Sequence, residues 1–249
     1  MDTEKRFAEK TAVITGAARG IGRACAFVFA ERGANLVLVD VDGEKLASVG
    51  EEMKPFGTDV MTAVCDISNE QAVNDAAKAA LERFGKVDML VNNAALFRSW
   101  HPFTKFSSAE WERYFSVNVM GTAYCTNVFL PGMLERGSGS VVNVASVAGV
   151  YGLASMVMYS ATKGAVIAMT RALAKETADK GVRINAVSPG SVNDSNDPDI
   201  DATSPSELSF SGRTGSDREN AELIAFLSSD KASYINGQNI QIDGCRKKQ

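Results

Sequence analysis

The stretch TAVITGAARGIGRACAFVFAERG, residues 11–33, constrains this chain more than any other part of its sequence. Thr11 to Thr15 is a short apolar run of strand type, and residues from about Gly20 to Arg32 carry the apolar spacing of a helix. Between them Gly16, Gly20 and Gly22 form G-x-x-x-G-x-G. Glycines there allow a tight turn and let the backbone approach a pyrophosphate at the positive end of the helix. A second apolar run, residues 35–39, ends in Asp40. That acid lies about twenty positions on, where a carboxylate can meet adenosine ribose hydroxyls. Glycines alone say little. Strand, glycine turn, helix, strand and acid in this order specify a dinucleotide site.

The same alternation continues to the end of the chain. Strands are expected at 11–15, 35–39, 60–65, 87–92, 139–145, 182–188 and 238–242. Helices are expected at about 20–32, 43–54, 70–84, 108–133, 156–179 and 217–228. Ser68 with Gln71, Ser107 with Glu110, and Ser216 with Glu219 have the spacing of capping boxes. Runs such as Val87 to Val91 are apolar on both faces, as a helix-covered parallel sheet requires. The expected fold is α/β: a Rossmann-like, doubly wound sandwich on a mostly parallel seven-stranded sheet. Residues 1–249 show no linker, so one domain is expected. Gly16, Asp40, Asp66, Asn92 and Ser146 all fall at the carboxyl edge of that sheet, where ligands bind.

A second constellation lies in VVNVASVAGVYGLASMVMYSATKGAVIAM. Tyr159 precedes Lys163 by four residues and follows Ser146 by thirteen. On a helix four residues span roughly 6 Å, so phenol and ammonium share one face. A free tyrosine titrates near pH ~10, and a neighbouring cation favours its phenolate. Lys163 is therefore expected to lower the Tyr159 pKa. Tyr159 would then exchange a proton with a substrate oxygen, and Ser146 would hydrogen-bond that oxygen.

These motifs resemble the short-chain dehydrogenases/reductases in their compact form, from about Lys10 to Gly244. T-G-x-x-x-G-x-G matches at residues 15–22, N-N-A-G at Asn92, Asn93, Ala94 and Ala95, and the catalytic trio at Ser146, Tyr159 and Lys163. Asn118 in SVNVMG resembles the active-site asparagine, which would position a water behind Lys163. The resemblance implies cofactor contacts from Gly16, Arg19, Gly20, Ile21, Gly22, Asp40, Asp66, Ile67, Asn92, Ala94, Tyr159, Lys163, Pro189, Gly190 and Val192. Asp66 matches the adenine-contacting acid, and Lys163 would hold the nicotinamide ribose. Tetramers are also implied.

NAD is expected over NADP. Asp40 would bond the ribose hydroxyls and repel a 2′-phosphate, and Val41 and Asp42 bring no cation there, although Arg19 argues the other way. Ala95 stands where the family has glycine, and so does Cys245. The segment after Pro189 and Gly190, about 191–212, matches the substrate lid. It carries Asp194, Asp197, Asp199, Asp201 and Glu207 from Asn193 to Gly212 with no lysine or arginine. It is expected to be a mobile, solvated lid, or else an acidic one that disfavours anionic substrates. Asn193 replaces a common threonine that helps hold the nicotinamide carboxamide. Leu96, Phe97, Trp100 and Phe103, with Val150, Tyr151 and Leu153 opposite, would suit a hydrophobic ketone such as a steroid.

The net charge of −4 leaves no basic footprint for nucleic acid, and no apolar run approaches the ~20 residues that span a bilayer. Residues 1–10 lack the apolar core of a secretory signal, and the four scattered cysteines show neither metal spacing nor a disulfide framework. A cytoplasmic homotetramer or homodimer with no metal is expected: the helix at 156–179 is apolar on several sides, with Ala161, Ala165, Ala168 and Ala172 as one stripe and Val166, Ile167, Met169 and Leu173 elsewhere, so one side would cover the sheet and another a second subunit. The expected reaction moves a hydride between NAD(H) and a small-molecule secondary alcohol or ketone: a hydroxysteroid, a polyol or another cyclic alcohol. Alternatives are a 3-oxoacyl-thioester reductase and, more distantly, a non-catalytic dinucleotide sensor.

Overall fold

The computed structural model describes residues 6–97, 100–193 and 195–247. Seven strands form one sheet in the order β3-β2-β1-β4-β5-β6-β7: β1 Thr11–Thr15, β2 Asn35–Asp40, β3 Val60–Val64, β4 Met89–Asn92, β5 Gly139–Val144, β6 Val182–Pro189 and β7 Asn239–Ile242. All neighbouring pairs are parallel. Every residue of β1 and β4 is buried, which is why those strands read as unbroken apolar runs. The chain winds outward from β1 to β3, returns to β4 on the other side of β1, and winds outward again. A crevice opens at that reversal, beyond the carboxyl ends of β1 and β4.

The helices are α1 Gly20–Glu31, α2 Gly43–Glu52, α3 Glu70–Phe84, α4 Ser108–Phe115, α5 Thr122–Arg136, α6 Val147–Tyr151, α7 Val157–Thr177 and α8 Asp217–Ser228. Two cores flank the sheet. One joins Phe29 of α1 and Leu46 of α2 to Ile224 of α8 beneath Ile14 and Leu36. The other joins Ala77 of α3 and Phe129 of α5 to Leu90 and Val141.

Three local expectations change. The long helix expected at 108–133 is α4, a π-helical segment Ser116–Gly121, then α5. The widened turn accompanies a close approach to β3's exit, since a Cβ on Gly121 would meet Ile67 at 2.6 Å. The box expected at Ser68 and Gln71 is not formed. Asn69 caps α3, accepting from the Ala72 amide at 3.2 Å, while the Ser68 hydroxyl donates to Asp66 at 2.7 Å. The boxes at Ser107 and Ser216 are both present. Helix α6 was not expected; Ser146 caps it, accepting from the Ala148 amide at 3.1 Å.

Candidate active site

The glycine turn is shaped by contacts that only glycine permits. Gly16 and Gly20 hold φ of +67° and +56°, where a side chain would be strained. A Cβ on Gly22 would lie 2.0 Å from the Gly16 carbonyl oxygen, so α1 could not start so close to β1. Asn93 locks the turn: its Nδ2 donates to the carbonyls of Thr15 at 3.0 Å and Gly16 at 3.1 Å. The Thr15 hydroxyl accepts from the amides of Asn93 and Ala94 at 3.0 and 3.1 Å. Arg19, the N-cap of α1, offers no side-chain cap to the helix.

A cleft of about 320 Å³ runs over this turn, lined by Gly16, Arg19, Gly20, Ile21, Asp40, Asp66, Ile67, Ala94 and Val192 among others. Asp40 is oriented by two backbone donors, Ala18 N to Oδ2 and Asp42 N to Oδ1, both at 3.0 Å. Asp66 accepts from the Ser68 amide and hydroxyl and from Arg113 at 3.1 Å. Partial burial pushes its carboxyl upward, but these bonds outweigh that and hold it below the ordinary range. Glycine cradle, uncapped helix end and bonded acids together suit a dinucleotide. Arg113 is one of several lining residues, with Asn93, Val117 and Asp217, that sequence reasoning missed; it sits on α4, and only the third dimension brings it to Asp66.

Besides Tyr159 and Lys163, described below, four expected cofactor residues do not line the cleft. Asn92 points inward, its Nδ2 donating to Thr126 at 3.0 Å and Asn143 at 2.9 Å, because the strand's alternation gives the neighbouring Asn93 the cleft side. Gly22 acts behind the turn. Pro189 and Gly190 steer the chain off β6, where a Cβ on Gly190 would meet Asp243 at 2.7 Å.

Ser146, Tyr159 and Lys163 come together as expected. The Ser146 hydroxyl acts on the Tyr159 phenol, favouring its ionised form, and Lys163 Nζ lies 5.7 Å from the centre of the tyrosine ring. Lys163 is 3 % exposed and donates to the Val144 carbonyl at 2.6 Å. Its effect on the phenol differs from expectation. Burial pushes the Tyr159 pKa up to about 12, against the Ser146 hydrogen bond that lowers it and with Tyr114 raising it further. Burial also lowers Lys163 to about 8. Lys163 is buried and Tyr159 half-buried, and the ammonium is directed at a carbonyl, so the protein groups alone favour a neutral phenol.

Asn118, in the π-helical segment, bridges to Leu96: its Oδ1 accepts from the Leu96 amide at 2.7 Å and its Nδ2 donates to the Leu96 carbonyl at 3.2 Å. It also donates to Thr162, next to Lys163, at 3.0 Å. Leu96 lines the cleft, and its neighbour Phe97 packs edge-on against Tyr159 with ring centres 4.9 Å apart.

The segment expected as a lid is hydrogen-bonded to the body of the chain at several of its described residues. Arg23 donates to the Pro198 carbonyl at 2.9 Å, the Ser195 carbonyl accepts from Gly20 at 3.1 Å, and Arg218 bonds Asp201 at 3.2 Å while gripping Glu31. Asn193 is used within the lid, between Asp197 and Ser204. Residues 208–211 are hydrogen-bonded to 244–247, and Cys245 there adopts φ +58°, the conformation a glycine would take without strain. Asp194 of the acidic series lies outside the described residues. Among the described residues no metal-holding cluster occurs, and no helix is long and apolar enough to cross a membrane.

Comparison with known proteins agrees with this geometry. The sequence model of the family described as short chain dehydrogenase matches residues 10–204. A 3-oxoacyl-[acyl-carrier-protein] reductase of Thermotoga maritima is 35% identical over 243 residues, covering 96% of this chain and 98% of that one. Levodione reductase of Leifsonia aquatica is 37% identical, covering 96% and 94%. Among solved structures, levodione reductase superposes with a TM-score of 0.89 at 36% identity, covering 96% and 98%. An NAD+-bound xylitol dehydrogenase gives 0.88 at 29% identity, covering 96% and 99%.

Proposed function

The chain belongs to the short-chain dehydrogenase family and is an NAD(P)-dependent oxidoreductase, and from that premise we propose that it interconverts a secondary alcohol and a ketone with NAD(H). The observation that carries the reading is the Ser146–Tyr159–Lys163 group adjoining a dinucleotide-shaped cleft. The nicotinamide, when bound, supplies the hydride acceptor or donor. Tyr159 gives a proton to the substrate oxygen in reduction and removes it in oxidation. Its raised pKa keeps it protonated at neutral pH, as a donor must be. Ser146 hydrogen-bonds the same oxygen and stabilises its developing charge. Lys163 sits beneath the phenol as the buried cation and holds the ribose; Asn118 fixes Leu96, in the loop after β4, against Thr162 and so keeps cleft and lysine in register.

Cofactor selection rests on Asp40. Its preset carboxylate favours ribose hydroxyls and opposes a 2′-phosphate, with Arg19 the counterweight. The xylitol dehydrogenase of similar fold was solved with NAD+ bound, which supports this choice. One domain would house both cofactor and substrate sites. A homotetramer or homodimer is supported by the outward face of α7, where Ala161, Ala168 and Ala172 are exposed in the single chain.

Candidate substrates are hydroxysteroids, polyols and other cyclic alcohols. A second reading, a 3-oxoacyl-thioester reductase, is favoured by relatives of that name at 35% to 38% identity. Following NADH absorbance against steroids, sugars, cyclic diketones and acyl thioesters separates them. Turnover of cyclic ketones supports the first reading, and turnover of acyl thioesters alone selects the second. Silence across the panel would raise the more distant reading, a dinucleotide sensor.

A further inference from the structure

Phe97 is out of place for a structural residue. It is 55% exposed, yet its ring meets the Tyr159 ring edge-on at 4.9 Å. Its position is held from both sides. The preceding Leu96 is bonded twice by Asn118, and beyond Trp100 the His101 amide donates to the Ser155 carbonyl at 3.1 Å. Ser155 lies two residues before α7, the helix that carries Tyr159, so His101 is tied to the turn that leads into the element bearing the catalytic phenol. Trp100, 67% exposed, continues the surface with its ring 6.4 Å from that of Phe97.

We propose that Phe97 is a specificity-determining residue whose exposed face, extended by Trp100, binds an apolar ring that contains, or is joined directly to, the reacting carbonyl carbon. The inference rests on the functional reading above and deepens it. A substrate oxygen bonded to the tyrosine hydroxyl puts its carbon skeleton beside the ring that touches that tyrosine. A flat or cyclic apolar group covers Phe97 and Trp100 there, whereas an open-chain polyol leaves both wet and desolvates its own hydroxyls. The substrate class is thus an uncharged cyclic or aryl ketone, or its alcohol.

The test compares two ketones with NADH: a cyclohexanedione bearing methyl groups, and dihydroxyacetone. In wild type the cyclic ketone is expected to have the higher kcat/KM. Phe97→Ala should lower kcat/KM for the cyclic ketone at least about tenfold, mainly through KM, and change that for dihydroxyacetone less than about twofold. Phe97→Tyr, which keeps the ring, should restore the cyclic substrate. NADH affinity by fluorescence and the mass by light scattering should not change in either variant. An equal fall on both substrates, or none, overturns the inference while leaving the functional reading intact. A changed mass also overturns it, by making Phe97 a subunit contact. A wild type inactive on every ketone overturns the functional reading, and this inference with it.

Discussion

Removing the Asp40 carboxylate separates the two cofactors by a calculable margin. Each oxygen of Asp40 accepts one backbone amide at 3.0 Å, and one of them, from Ala18, is buried. In Asp40→Ala the Ala18 amide loses its partner, at about 1–3 kcal/mol. For a chain of this size that lowers Tm by about 2–4 °C per kcal/mol. Charge-assisted bonds to the ribose hydroxyls are worth roughly 1.5–3 kcal/mol, so NADH binding should weaken roughly 10- to 150-fold. NADPH should bind no worse than to wild type, because its phosphate no longer meets a carboxylate beside Arg19. Asp40→Asn keeps an oxygen for Ala18 and should melt closer to wild type while still losing NADH preference. Kd values from quenching or enhancement of nicotinamide fluorescence, read beside melting curves, give all four quantities. A well-folded Asp40→Asn whose NADH and NADPH affinities fall in parallel would refute the selection argument.

Other consequences follow from particular contacts. Gly22→Ala places a Cβ 2.0 Å from the Gly16 oxygen, so calorimetry should register a loss of at least about 1–3 kcal/mol and NADH titration a collapse of binding; a wild-type melt and affinity would contradict the close approach. Lys163 has a folded pKa near 8, below the value of about 10.5 in an unfolded chain. Between those values the unfolded state binds more protons, so wild type should gain stability over Lys163→Met as pH rises from about 8 to 10.5, and denaturant titrations showing no such trend would count against a buried ammonium. Arg218→Ala frees Asp201 from its tie to Glu31 and α8, so limited proteolysis should cut within 197–212 sooner than in wild type; unchanged cutting would mean other contacts hold the lid.

The fold is readable wherever two signals agree. Buried β1 and β4 appear as apolar runs because both faces are covered, and the glycine turn is written in residues that nothing larger can replace. What stays hidden is long-range. The break between α4 and α5 has no local marker, since the segment retains helical apolar spacing and the π-turn reflects contact with Ile67. Ser146 has a second task, as the cap of α6, that its chemistry masks, although a serine before V-A-G-V-Y is a signal for one. The order of residues places Tyr159 and Lys163 on one face but says nothing of burial, and burial moves both pKa values against the simple charge-pair argument. Asp201 looks unpaired in sequence because its partner Arg218 comes from α8, and Arg23 of α1 ties the same segment through the Pro198 carbonyl.

The most direct test of the account is to measure NADH-linked ketone reduction by Tyr159→Phe beside NADH affinity. Phenylalanine keeps the ring that packs on Phe97 and removes only the proton-bearing oxygen. Turnover should fall about 10²- to 10⁴-fold with NADH binding within about twofold of wild type. Turnover near the wild-type rate would contradict Tyr159 as the proton carrier, whatever else in the cleft proved correct.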